Sequence, residues 1–164
     1  LTAERVKNWT HERGEGNDEW LTPPEIIKAL GDFDLDPCSP IHRPWDTARY
    51  HLTREDDGLM KSWSGRVWMN PPYGRETGKW MQRLFEHGNG IALIFSRTDT
   101  EVFHHYVFER ANAILFLKGR LSFYTVSGKT VNPAGAASCL VAYGAYNALL
   151  LQKSGLKGFF VQLR

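Results

Sequence analysis

The chain has 164 residues, enough for one domain with its own core and no need of disulfide or metal staples. Apolar residues make up 42% and charged residues 23%, an ordinary globular composition that excludes a disordered or low-complexity protein. The formal net charge of +2 is too small to argue for nucleic acid by itself, so any DNA contact must come from local clustering of Lys and Arg. Cys38 and Cys139 lie far apart without metal-ligand spacing and are expected as free thiols, not as a disulfide framework. No apolar run approaches the roughly 18 residues that span a bilayer, and the first residues do not read as a signal peptide. A cytoplasmic protein is expected, and the opening on Leu1 leaves room for a segment upstream.

In chain order, residues 1–19 are polar and rich in charge and glycine, and read as an arm ahead of a domain spanning 20–164. Thr22-Pro23-Pro24-Glu25 has the form of a capping box: Thr22 is the expected N-cap, Pro23 the first helical position, and Ile26, Ile27 and Leu30 the apolar face before Gly31. Phe33 to Asp36 alternates and meets Pro37, which predicts a short strand ending near Asp36. Residues 38–63 are irregular, with a brief strand expected around Tyr50 and Leu52. Arg66 to Met69 reads as a buried strand stopped by Asn70-Pro71-Pro72. A helix with Trp80, Met81, Leu84 and Phe85 toward the core follows, ending at Gly88. A strand over Ile91–Phe95, a helix marked by Val102, Phe103, Tyr106 and Val107, and strands over Ala113–Leu117 and Ser138–Tyr143 come next. A helix starting near Ala148 and a strand over Phe159–Leu163 close the chain. Strands alternating with amphipathic helices predict an α/β domain with a central, mostly parallel sheet flanked by helices. Ligands of such sheets bind at the carboxyl ends of the strands, where Asp36 and Asn70 both fall.

Asn70-Pro71-Pro72-Tyr73 directly after an apolar strand carries the strongest chemical signal. Each proline fixes φ and removes an N–H, and Pro71 restricts Asn70 to extended backbone, giving a stiff platform with an amide, free carbonyls and an aromatic ring. Methylation of an adenine amine needs such parts. The N6 lone pair is delocalised, and an Asn70 side-chain oxygen with the Pro71 carbonyl can accept both N6 hydrogens and favour a nucleophilic nitrogen. The target base has to leave the duplex, and stacking on Tyr73 recovers part of the cost. The bland rival is a rigid turn whose Asn caps the next helix.

Several ordered segments resemble one family. They are Asp18-Glu19-Trp20-Leu21-Thr22-Pro23, Leu35-Asp36-Pro37-Cys38, Glu55-Asp56-Asp57-Gly58-Leu59 with Trp63, and Val67-Trp68-Met69-Asn70-Pro71-Pro72-Tyr73-Gly74. Arg97-Thr98-Asp99-Thr100 and Lys118-Gly119-Arg120-Leu121 follow. Together, over roughly residues 18–143, they resemble the phage-type N-6-adenine DNA methyltransferases, the small Dam-like family of bacteriophages. The resemblance implies a Rossmann-like methyltransferase fold, S-adenosylmethionine as donor, a DNA adenine as acceptor, and a bacterial or phage-infected cytoplasm. It places Asn70, Pro71, Pro72 and Tyr73 in the catalytic loop. Trp20, Thr22 and Pro23 fall on a cofactor-contacting segment, Asp36, Pro37 and Cys38 near the cofactor's methionine part, and Asp57, Gly58 and Leu59 near its adenosine part. The glycine-rich turn common after the first strand of methyltransferases is replaced here by Asp36-Pro37-Cys38-Ser39-Pro40.

Each assignment has a local rival. Thr22 and Pro23 also suit helix capping, Asp36 an Asx turn, and Asp57-Gly58 a plain turn. Arg97 and Asp99 either touch DNA or pair with one another, with Asp99 or Thr100 capping the next helix. Lys118, Arg120 and Lys129 either meet phosphates or form a solvated basic face. His104 and His105 point in different directions on a helix, and no metal is expected. Oligomeric state is left open, a monomer being compatible with everything above. The competing functions are cytosine N4 methylation, which similar enzymes more often run with serine in place of Asn70, RNA or nucleotide methylation, and a catalytically silent DNA-binding protein. With little room for a separate recognition domain, a short or relaxed target read by residues 38–63 and 118–135 is expected.

Overall fold

A computed structural model describes residues 20–131 and 133–164. The arm expected over residues 1–19 lies outside the described residues. The strands are β1 (Leu35–Asp36), β2 (Tyr50–His51), β3 (Val67–Met69), β4 (Gly90–Phe95), β5 (Ala113–Leu117), β6 (Ser138–Tyr143) and β7 (Gly158–Gln162). They form one sheet in the order β2-β1-β3-β4-β6-β5-β7.

The expected mostly parallel sheet is corrected to a mixed one. β1 pairs parallel with β2 and β3, and β3 with β4, whereas β6 is antiparallel to β4 and β5, and β7 antiparallel to β5. The longer registers are the antiparallel ones. The reason lies in the connections. Parallel neighbours need a crossover, usually helical, but no helix occurs among the described residues between β5 and β6, and the chain simply turns back. Helix α3 (Ala145–Lys153) then carries the reversed direction over to β7. Apolar strands alone gave no sign of this reversal, because direction is not written in hydrophobicity. Strands β1 to β5 still point one way, so their carboxyl ends share one edge.

Both faces of the sheet are covered. One packs Leu35, Val67 and Met69 against Met81 and Leu84 of α2 (Thr77–His87) and against Val107. The other packs Trp68, Ile91, Leu93 and Leu140 against α1 (Pro24–Leu30) and α3. In α2, Trp80, Met81 and Leu84 are buried as expected, while Phe85 is exposed and meets Tyr143 and Arg110 at its rim. Gly88 ends the helix in the left-handed region, φ 74°, with its N–H on the Leu84 carbonyl.

Two local details differ from expectation. The N-cap of α1 is Pro23, φ −52° and ψ 129°, and no side chain caps the helix. Pro24 takes the first helical turn, which leaves Thr22 one residue too early to cap; it is buried instead, and its carbonyl accepts the Trp45 indole N–H at 3.2 Å. The segment Phe103–Phe108 is π-helical, and Glu109 N–H reaches back to the His104 carbonyl at 3.1 Å.

Gly90 fixes the approach of β4 to β3, since a Cβ there would meet the Val67 carbonyl at 2.5 Å and Leu84 at 2.9 Å. Gly90→Ala is expected to lower the free energy of unfolding by about 1–3 kcal/mol, the usual cost of overpacking, measured by urea titration of both proteins.

Candidate active site

β1 delivers Asp36 and stops at Pro37, while β3 delivers Asn70 and stops at Pro71. Because Leu35 pairs with Val67 in parallel register, Asp36 comes beside Trp68, with Asn70 two residues further on the same face. Asp36 is only 3% exposed. One carboxylate oxygen accepts the Thr47 hydroxyl in a short hydrogen bond, and the other accepts the Cys38 N–H at 3.2 Å. Burial raises its pKa from 3.8 to about 6, against the lowering effects of Thr47, Cys38 and the Arg43 guanidinium. Thr47 is itself held, because the His51 imidazole accepts the N–H of Thr47 at 3.3 Å and of Ala48 at 3.4 Å. Burial, followed by the Arg43 charge, lowers the His51 pKa and favours the neutral ring that can accept.

The Asn70 amide is oriented from two sides. Its nitrogen donates to the Trp20 carbonyl at 3.4 Å, and its oxygen accepts the Tyr73 hydroxyl at 3.2 Å. A carbonyl can only accept, so the Trp20 contact fixes which end of the amide faces it. The Tyr73 ring stacks on Phe95 with centroids 4.1 Å apart and 13° between planes, and meets the edge of Phe123 at 6.4 Å. Burial pushes the Tyr73 phenol well above its usual pKa, so it remains a donor. Pro71 is buried and Pro72 exposed; the Pro72 carbonyl accepts the Thr77 hydroxyl at 2.9 Å at the start of α2. The Asn70 carbonyl accepts the Cys38 thiol at 3.4 Å, and burial raises the Cys38 pKa well above 9.0.

These groups surround a cavity of about 10 Å³, lined by Trp20, Thr22, Asp36, Cys38 and Asn70 together with Leu21, Pro40, Thr47 and Trp68. Five residues expected from the sequence therefore meet at one place. Pro23, Pro37 and the remainder of the catalytic loop lie outside the lining. Trp68 was foreseeable, since it alternates with Asn70 on β3; Thr47 came from an irregular stretch that carried no signal. The Trp68 side chain is fully buried, and its indole N–H has no hydrogen-bond partner among the described residues. The wall residue Leu21 is braced from far along the chain: Leu21 and Tyr124 exchange backbone hydrogen bonds of 2.8 and 3.0 Å, and Trp45 packs edge-on against Tyr124 at 5.1 Å.

The Asp57–Leu59 segment does not reach this cavity. Asp57 sits at φ 52°, and Gly58 lies so close beneath Pro37 that a Cβ would meet the Pro37 carbonyl at 2.0 Å. The Gly58 carbonyl accepts the Trp63 indole N–H at 2.8 Å, and Leu59 packs into the core. Packing explains these residues, and Gly58 buttresses the Pro37 bend from behind. Arg97 and Asp99 are exposed after β4 and form no ion pair with one another among the described residues. Thr100, not Asp99, does the capping, its hydroxyl accepting the Phe103 N–H at 3.3 Å. Arg97 follows Phe95, the residue that stacks on Tyr73, by two positions. Lys118 and Arg120 are exposed at the same edge, but β6 separates β5 from β4, and the Lys118 N–H is turned toward the Lys157 carbonyl. An open depression of about 370 Å³ beside Arg43, lined by Ile41, His42, Pro44, Asp46 and Val126, joins the two long irregular stretches. Among the described residues no group of three or more His, Cys, Asp or Glu side chains could hold a metal ion, and no helix is long and apolar enough to cross a membrane.

The Asn70-Pro71-Pro72-Tyr73 loop thus follows a strand end beside the buried Asp36 carboxylate. The family model described as DNA N-6-adenine-methyltransferase (Dam) matches residues 9–148, and the chain belongs to that family. The match starts inside the segment expected as a polar arm. No curated protein and no solved structure matches the chain.

The buried Asp36 makes stability depend on pH. Its folded pKa of about 6 lies above the unfolded value, so the native state binds more protons between pH 4 and 6, and stability falls as pH rises through that window and levels above it. Asp36→Asn is expected to remove a fall on the order of 3 kcal/mol, read as the difference between the urea stabilities of the two proteins at each pH.

Proposed function

We propose that the protein transfers a methyl group from S-adenosylmethionine to the N6 amine of an adenine extruded from DNA, on a Rossmann-like framework, in a bacterial or phage-infected cytoplasm. The observation that carries this reading is the meeting of Asp36 and Asn70, from adjacent parallel strand ends, at one cavity beside the Tyr73 ring. Bound S-adenosylmethionine supplies an electrophilic methyl on a sulfonium sulfur that leaves as a neutral thioether. The donor set fits it: the Asp36 carboxylate is a buried acceptor for the ammonium of the methionine end, and the pairing returns Asp36 toward its charged form. The fit in volume requires movement. A space of about 10 Å³ holds about one water, so Trp20, which is exposed, and the loop around Pro40 have to draw back.

The Asn70 side-chain oxygen has two lone pairs, one of them engaged by Tyr73, and accepts one N6 hydrogen. The Pro71 carbonyl, which accepts no hydrogen bond among the described residues, takes the other. Both bonds strengthen as positive charge grows on N6, which favours the transition state over the bound substrate. The surplus N6 proton then passes to water, since neither acceptor is basic. Tyr73 offers the adenine a ring already braced by Phe95 and held in place through Asn70. Arg97, exposed two residues beyond Phe95, is the candidate for a flanking phosphate, and the depression beside Arg43, lined from both irregular stretches, is the candidate for reading neighbouring bases. Lys118 and Arg120 serve at most as outlying phosphate contacts.

Incubation with tritiated donor and DNA, followed by base analysis, is expected to give label in N6-methyladenine; label only in N4-methylcytosine, or only with RNA or nucleotides, overturns the assignment. Asn70→Ala is expected to lose at least about a hundredfold in turnover, the scale seen when an oriented transition-state hydrogen bond is deleted, while retaining donor binding. Near-normal turnover in a folded Asn70→Ala protein rejects the role. Modification-sensitive sequencing of methylated plasmid is expected to show a short or relaxed target, and a long strict site contradicts it.

A further inference from the structure

We infer that the indole N–H of Trp68 is the hydrogen-bond donor for the carboxylate at the amino-acid end of the methyl donor, an inference that rests on the cavity being the donor site. Trp68 is fully buried, lines the cavity, and its Nε1 is a buried polar atom without a partner among the described residues. An indole N–H can only donate, so it selects an acceptor, and a buried donor left unpaired costs free energy that a ligand acceptor recovers. The parallel register sets Trp68 next to Asp36, whose carboxylate can only accept while ionised. An acceptor and a donor lining one cavity, both out of water, together suit a ligand that carries an ammonium and a carboxylate. Two other donors of the wall are engaged: the Cys38 thiol on the Asn70 carbonyl, and the Thr47 hydroxyl on Asp36 itself.

The test compares S-adenosylmethionine with its decarboxylated analogue, which keeps the sulfonium, adenosine and amine but lacks the carboxylate. Wild-type protein and Trp68→Phe are titrated with both by calorimetry. Trp68→Phe is expected to weaken S-adenosylmethionine about tenfold or more, the scale of a hydrogen bond to a charged group, and to cost the analogue little. Equal weakening of both ligands, or of neither, assigns the N–H to a buried water and overturns the inference, with the donor site intact. Failure of the wild type to bind either ligand removes the donor site and the inference together. A second measurement needs no variant. In wild-type protein labelled with 15N at its six tryptophan indoles, one slowly exchanging indole proton is expected to move downfield with S-adenosylmethionine and not with the analogue; six unresponsive signals overturn the assignment.

Discussion

The parallel pairing of β1 with β3 is the constraint on which the site depends. Each strand is only two or three residues long, with a proline one residue after β1 and two residues after β3 that forbids continuation. What survives is a register that puts Asp36, Trp68 and Asn70 on one face of one edge. Everything else serves that arrangement. Gly58 supports the Pro37 bend, Thr47 and His51 hold the Asp36 carboxylate, and Phe95 backs the Tyr73 ring. The short strands join the longer part of the sheet through β3, which pairs with β4, itself paired with β6 along six residues.

The chain's local signals read well where one residue dictates backbone. Proline stops after Asp36 and Asn70, and the glycine stop of α2, lie where the sequence places them. So do the strand ends that carry the chemistry, and five of the nine cavity residues. Less was legible wherever a distant partner decides. The antiparallel return of β6 depends on a connection without a helix, Thr47 is brought in by a loop folded on His51, and Thr22 yields its capping role because Pro24 fills the first helical turn. Gly58, on a segment that resembles a cofactor contact, is also placed by packing against Pro37 and Trp63, which local sequence did not announce.

The site is held closed by its own polar groups. Trp20 takes the Asn70 amide nitrogen, Tyr73 takes the amide oxygen, and the Cys38 thiol takes the backbone carbonyl. These contacts preserve the geometry that catalysis needs while keeping buried donors and acceptors paired. They also couple the two halves of the proposed reaction. Withdrawal of Trp20 enlarges the cavity beside Asp36 and, in the same movement, releases one restraint on Asn70.

The pairing of Leu21 with Tyr124 has a kinetic consequence. Closing so long a loop carries an entropic cost that only later contacts repay. The sheet's crossovers, from β1 to β3, β4 to β6 and β5 to β7, each span fewer residues than the bridge that brings the hairpin around Gly128 back to Leu21. The refolding chain thus gains its scaffold before its binding chamber, and a ligand that fills the chamber acts on the last stage of folding.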